Sequence, residues 1–117
     1  MESSYLEALA LTLIVELGAL AALLVPLRAR LGLSARRLGL LLLLALATNL
    51  VSHRCFWLLF PHLSGGWAQR LTVAEAVVAL AEGSVYAGVG RLRPVWLAIG
   101  ASAVANLLSW TAGAWLL

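Results

Sequence analysis

The residues able to do chemistry in this chain are few and sit inside long apolar runs. Glu16 lies in Leu13-Ile14-Val15-Glu16, and Glu82 in Ala79-Leu80-Ala81-Glu82. Asn49 and Asn106 each open an Asn-x-x-Ser sequence, completed by Ser52 and Ser109. His53, Arg54 and Glu75 complete the set. Carboxyl and amide groups in hydrocarbon suit two tasks. They bind a proton or a cation, with Asn as a neutral ligand, or they hydrogen-bond across helices as structural glue. An ionised carboxylate there must be paired, hydrated, metal-bound or protonated.

Spacing sorts these residues into two layers. Counted from the nearest arginine at one end, a helical rise puts Glu16 and Asn49 at about 18 Å, Asn106 at about 20 Å and Glu82 at about 14 Å. His53, Glu75 and Ser109 fall at about 24 Å, with Arg54 one residue beyond. The first layer, Glu16, Glu82, Asn49 and Asn106, is the candidate ion or proton site. The second, His53, Arg54, Glu75, Ser52 and Ser109, is an outer polar cluster, and a salt bridge from Glu75 to His53 or Arg54 is expected there. Asn49, Ser52 and His53 share a helix face, as do Glu75 and Glu82, and Asn106, Ser109, Trp110 and Gly113. Such narrow polar faces should point into a bundle, away from lipid.

Other chemistries have little support. Ser52 and Ser109 lack a nucleophile-elbow context, and mid-helix serines usually bond to the backbone. No glycine-rich phosphate loop is present. Two histidines and one cysteine, Cys55, exclude a Cys/His zinc cluster and an intrachain disulfide. A hard-cation site of Glu16, Glu82 and Asn oxygens stays open, and no cofactor is indicated. His62, beside Pro61, reads as solvated.

The elements that position these residues follow from composition. Of 117 residues, 63% are hydrophobic and 11% charged, too apolar for a soluble domain of this size. Four runs, about 5–27, 38–60, 71–90 and 94–117, are each long enough to cross ~30 Å of hydrocarbon as a helix. The expected fold is all-α: one domain, a polytopic four-transmembrane-helix bundle in up-down order. The first run lacks a basic start and a small-residue cleavage site, and reads as a retained helix. Pro26, Pro61 and Pro94 fall at run ends.

The net charge of +3 comes from eight Arg against five Glu. The arginines flank apolar runs and form no basic face, so the lipid bilayer is the indicated partner and nucleic acid is not. Arg28, Arg30, Arg36, Arg37, Arg91 and Arg93 belong to the first and third connections. The positive-inside rule then puts those connections in the cytoplasm and both termini outside, with Trp67, Trp110 and Trp115 near the outer interface and Trp96 near the inner.

Two helical hairpins, each with Glu on its first helix and Asn-x-x-Ser on its second, suggest a parallel internal repeat. Four helices rarely enclose a full pathway, so a homo-oligomer or a membrane-protein partner is expected. Ala98, Gly100, Ala101 and Ala103 could support close contact. Two alternatives stand beside a proton or cation function. One is an enzyme acting on lipid headgroups through His53 and Glu75. The other is a structural or assembly subunit using the polar cluster as glue.

The ordered motifs carry a resemblance. Thr12 and Glu16 give T-x-x-x-E; Asn49, Ser52 and His53 give N-x-x-[ST]-H. Glu75, Val78, Glu82 and Tyr86 give E-x-x-V-x-x-x-E-x-x-x-Y, and Asn106 with Ser109 gives N-x-x-S. Over nearly its whole length the chain resembles a widespread group of small bacterial four-helix integral membrane proteins of uncharacterised function. Ser52 stands where that group carries Thr, and Arg54 where it carries Pro. The resemblance implies the fold, a bacterial inner membrane and the choice of residues, but no activity.

Overall fold

The computed structural model describes residues 2–116. Four helices follow one another: α1 (Glu2–Leu31), α2 (Ala35–Leu59), α3 (Trp67–Gly88) and α4 (Val95–Leu116), with a 3-10 turn at Phe60–His62. All four are long and apolar enough to cross a membrane. α1 packs on α2 and α4, and α3 packs on the same two; among the described residues neither diagonal pair of helix backbones comes close. The result is an all-α four-helix bundle with α1 opposite α3 and α2 opposite α4. Its long axis of 42 Å matches a bilayer with its headgroups. Ile14, Leu43, Val51, Val77 and Leu107 are exposed along the sides, the residues a lipid-facing wall requires.

The helices extend beyond the apolar runs. α1 passes through Pro26 to Leu31, because Pro26 is exposed and its missing N–H loosens only one helical bond. It stops at Gly32, where φ is +66° and Leu33 N–H donates back to the Arg28 carbonyl at 2.9 Å. Ser34 Oγ then caps α2 by accepting from Arg37 N–H at 3.1 Å. The first connection is therefore Gly32-Leu33-Ser34, and all four of its flanking arginines lie on helices. α3 starts at Trp67, four residues before its apolar run, with Gln69 Oε1 accepting from Gly66 N–H at 3.3 Å. The last residue of the fourth run, Leu117, lies outside the described residues.

The two ends of the bundle differ. At the end bearing the first and third connections, Leu33 and Leu92 turn inward from the loops and join Leu20, Leu24, Leu38 and Leu41 in a closed apolar core. Arg37 ties that end by donating to the Gly90 and Arg91 carbonyls, both at 3.3 Å. Arg93 donates to the Ala87 carbonyl at 2.6 Å.

The α3–α4 contact is the closest in the bundle. A Cβ on Gly83 would stand 2.7 Å from Ile99 Cα, so only glycine permits this approach. Small residues on α4 face it. Ala98 and Ala101, expected at an oligomer contact, are buried inside the bundle instead, whereas Ala103 is exposed. Once lipid replaces water, such close van der Waals contact and interhelical hydrogen bonding are what hold helices together.

Candidate functional site

Towards the end that carries the termini, the four helices part around a cavity of about 340 Å3. Glu16 and Thr12 reach it from α1, Asn49, Ser52 and His53 from α2, Glu75 from α3, and Asn106 and Ser109 from α4. Residues of both sequence layers, without Glu82 and Arg54, thus meet in a single space. Below it, Tyr86 is buried, and the leucine core begins. The cavity is a dead end: polar floor, aromatic rim, apolar seal beneath.

The two central glutamates differ in their surroundings. Glu82 is 1% exposed, and its Oε1 accepts from Asn106 Nδ2 at 2.9 Å. Asn106 also donates to the Ser102 carbonyl at 2.8 Å, and Ser102 Oγ donates across to the Ala79 carbonyl at 2.8 Å. This network exists because Gly83 lets α3 and α4 close on each other. Glu16 is 4% exposed and receives no hydrogen bond among the described residues; its Oε2 is buried without a partner. Glu82 Oε2 also lacks one.

Asn49 matches Asn106 in one bond only. Each amide donates to the carbonyl four residues earlier, Asn49 to Ala45 at 2.8 Å. Asn49 makes no bond to a glutamate. Ser52 Oγ donates to the Asn49 carbonyl at 3.4 Å, and Ser109 Oγ donates to Thr12 Oγ1 at 3.3 Å.

Glu82 departs from the expected cluster in a second way. It lines a separate apolar groove of about 520 Å3 between α2 and α3, and its Oε1 is hydrogen-bonded to Asn106 on the cavity wall. Ser52, Phe56 and Val78 line both spaces. A further groove of about 430 Å3 between α3 and α4 shares Glu75, Asn106 and Trp110 with the cavity. α3 is therefore flanked by two side openings.

The outer cluster also needs correction. Arg54 is exposed and does not line the cavity; its guanidinium lies 5.7 Å from the centre of the Tyr5 ring. The expected salt bridge from Glu75 to Arg54 or His53 is not formed. Arg54 lies one residue past the inward face of α2, so its long side chain leaves the bundle for its surface. His53 stays on the cavity wall, packed on Tyr5 at 5.1 Å between ring centres, with its Nε2 buried and unpartnered.

No family model, curated protein or solved structure matches this chain. The site must be judged on its own geometry. Among the described residues no three His, Cys, Asp or Glu side chains gather as a metal-binding group. Glu82 is held by Asn106 and lines the α2–α3 groove rather than the cavity.

Three residues add to those singled out by sequence. Ser102 belongs to the buried polar region; it lies four residues before Asn106, so its helix spacing signals it. Phe56 and Trp57 form the cavity rim together with Trp67 and Trp110. Trp110 lies four residues after Asn106 and Trp57 four after His53, so helix spacing puts both on the inward faces.

Proposed function

We propose that this chain is a multi-pass protein of the bacterial inner membrane that binds a proton or a small cation at Glu16. Its termini lie outside the cytoplasm, so the cavity opens outward and is sealed by leucines on the cytoplasmic side. One observation carries the reading: a carboxyl group 4% exposed, with an unpartnered oxygen, on the wall of a cavity. A carboxylate in hydrocarbon without hydrogen bonds or a counter-charge is unfavourable by several kcal/mol or more, so Glu16 requires a proton or a cation. Pure helix glue would instead have paired oxygens and no cavity. Passage to the far side requires the seal around Leu24, Leu41 and Tyr86 to open, so any transport proceeds by a change of conformation and not through a standing pore.

Infrared difference spectroscopy on protein in liposomes tests this. The carboxyl band is expected to move with pH or with added sodium or potassium, and the moving band to vanish in Glu16→Gln. A band indifferent to protons and to both ions overturns the proposal.

A second reading rests on His53. Its Nε2 is buried without a partner beside a cavity that opens sideways into apolar grooves, as a lipid-headgroup enzyme would need. Loss of His53 in His53→Ala would then abolish turnover of a phospholipid substrate while the bundle stays folded. Absence of any headgroup change after incubation with mixed phospholipids would remove it.

A further inference from the structure

We infer that the cavity takes an organic ammonium cation, held between the aromatic rim and the Glu16 carboxylate. This rests on the reading of Glu16 as a charge-binding site, and it names the class of cation.

Three observations lead there. The first is charge. The cavity wall bears Glu16 and Glu75, with Glu82 behind Asn106. The chain has no lysine, and none of its eight arginines lines the cavity. The wall therefore has acidic groups and no fixed counter-charge, and Glu16 on it is buried with an unpartnered Oε2.

The second is the rim. The whole chain has five Trp, two Tyr and two Phe. Phe56, Trp57, Trp67 and Trp110 line this one cavity, and Tyr5 packs edge-on against Trp57 at 5.4 Å. Interface anchoring alone does not explain this. Trp96 and Trp115, away from the cavity, are 73% and 84% exposed; on its rim Trp57, Trp110 and Trp67 are 37%, 41% and 61% exposed. Aromatic faces around an acidic floor are the arrangement that attracts cations with alkyl surfaces. Next to the rim, the Arg54 guanidinium lies 5.7 Å from the centre of the Tyr5 ring, which itself packs on Trp57.

The third is what the wall lacks. A compact multivalent cation is held by several charged ligands gathered on it. The wall has hydroxyl and amide oxygens, but no three His, Cys, Asp or Glu side chains gather among the described residues. An alkylammonium ion is weakly hydrated and covered in carbon, so it needs one carboxylate and apolar walls. The volume of about 340 Å3 suits an ion of a few carbon atoms per arm.

Such a cation exists free in water or as the headgroup of an amphiphile, whose chain would lie in the α2–α3 groove beside Phe56 and Val78. Titration calorimetry on the full chain in nanodiscs of anionic lipid separates the two. Tetraethylammonium probes the free ion and dodecyltrimethylammonium the amphiphile. Saturable binding of either supports the inference, and the one that binds assigns the source.

Glu16→Gln should weaken binding at least tenfold. Trp57→Leu or Trp110→Leu should each weaken it roughly three- to thirtyfold, the range of one cation–π contact. An equal concentration of potassium should not compete, a result that needs no variant. If neither ammonium probe binds, or potassium displaces both equally, the inference falls. The infrared response of Glu16 to protons or sodium then decides separately whether the proposed function survives.

Discussion

Asn106 Nδ2 donates to Glu82 Oε1 at 2.9 Å, and the corresponding residue of the other hairpin, Asn49, makes no bond to Glu16. The two hairpins share residue types in the same order, yet only one closes its pair. The difference traces to backbone distance. Gly83 brings α3 against α4, while no such glycine contact draws α1 and α2 together at the level of Glu16, where Gly18 faces open space. One carboxyl group is thereby built into the bundle and the other left available.

The first prediction concerns the closed pair. Asn106→Leu removes the donor to Glu82 and leaves both buried carboxylate oxygens without hydrogen bonds. A loss of about 1–3 kcal/mol is expected for a buried group stripped of its partner. Asn49→Leu loses only a back-bond within its own helix and should cost less. Unfolding in mixed detergent and dodecyl sulfate, followed by circular dichroism, compares them; equal losses would show that the Asn106–Glu82 bond adds nothing.

The two glutamates should likewise differ. Glu16→Met replaces an unpartnered carboxyl group with an apolar side chain of similar length. It should leave stability unchanged or raise it, by up to about 2 kcal/mol, while removing the carboxyl response. Glu82→Met should destabilise, since Asn106 loses its interhelical acceptor. The same unfolding assay reads both. A large loss in Glu16→Met would mark Glu16 as structural.

Gly83→Ala tests the close approach directly. The added methyl group meets Ile99 backbone at 2.7 Å and must push α3 from α4. The expected cost is about 1–3 kcal/mol, as for other overpacked interiors. Gly88→Ala, with nothing within 4 Å, serves as the control and should fall within about 0.5 kcal/mol of the parent. A neutral Gly83→Ala would mean the helices are not held this tightly.

Hydropathy made the four helices legible, because lipid tolerates only backbones that satisfy themselves. Helix spacing made most of the cavity wall legible too, since Glu16, Asn49, Ser52, His53, Asn106 and Ser109 fall on inward faces. Arg54 was misplaced because electrostatics suggests a partner for Glu75, whereas the side chain follows its position on the helix. Helix ends were misread at Pro26 and at Ala35, because charged residues there look like loop and are helical. The pairing of Glu82 with Asn106, and not of Glu16 with Asn49, depends on a glycine contact between helices that no local pattern encodes.

The last prediction joins cavity and orientation. In a Cys55→Ser background the chain has no other thiol, so a single introduced cysteine reports one position. Ala8 and Gly113 line the cavity from helices on either side of its mouth, and a Cβ on Gly113 meets nothing within 4 Å. Leu24 is fully buried in the seal. In spheroplasts, a membrane-impermeant cationic thiol reagent should label Ala8→Cys and Gly113→Cys from outside and leave Leu24→Cys unmodified. The negative floor should make the cationic reagent faster than an anionic one of equal size, by roughly tenfold. Labelling of Ala8→Cys and Gly113→Cys only after the membrane is opened would reverse the orientation. Labelling of Leu24→Cys at a comparable rate would show that the leucine layer does not seal, and would replace a dead-end site with a continuous path.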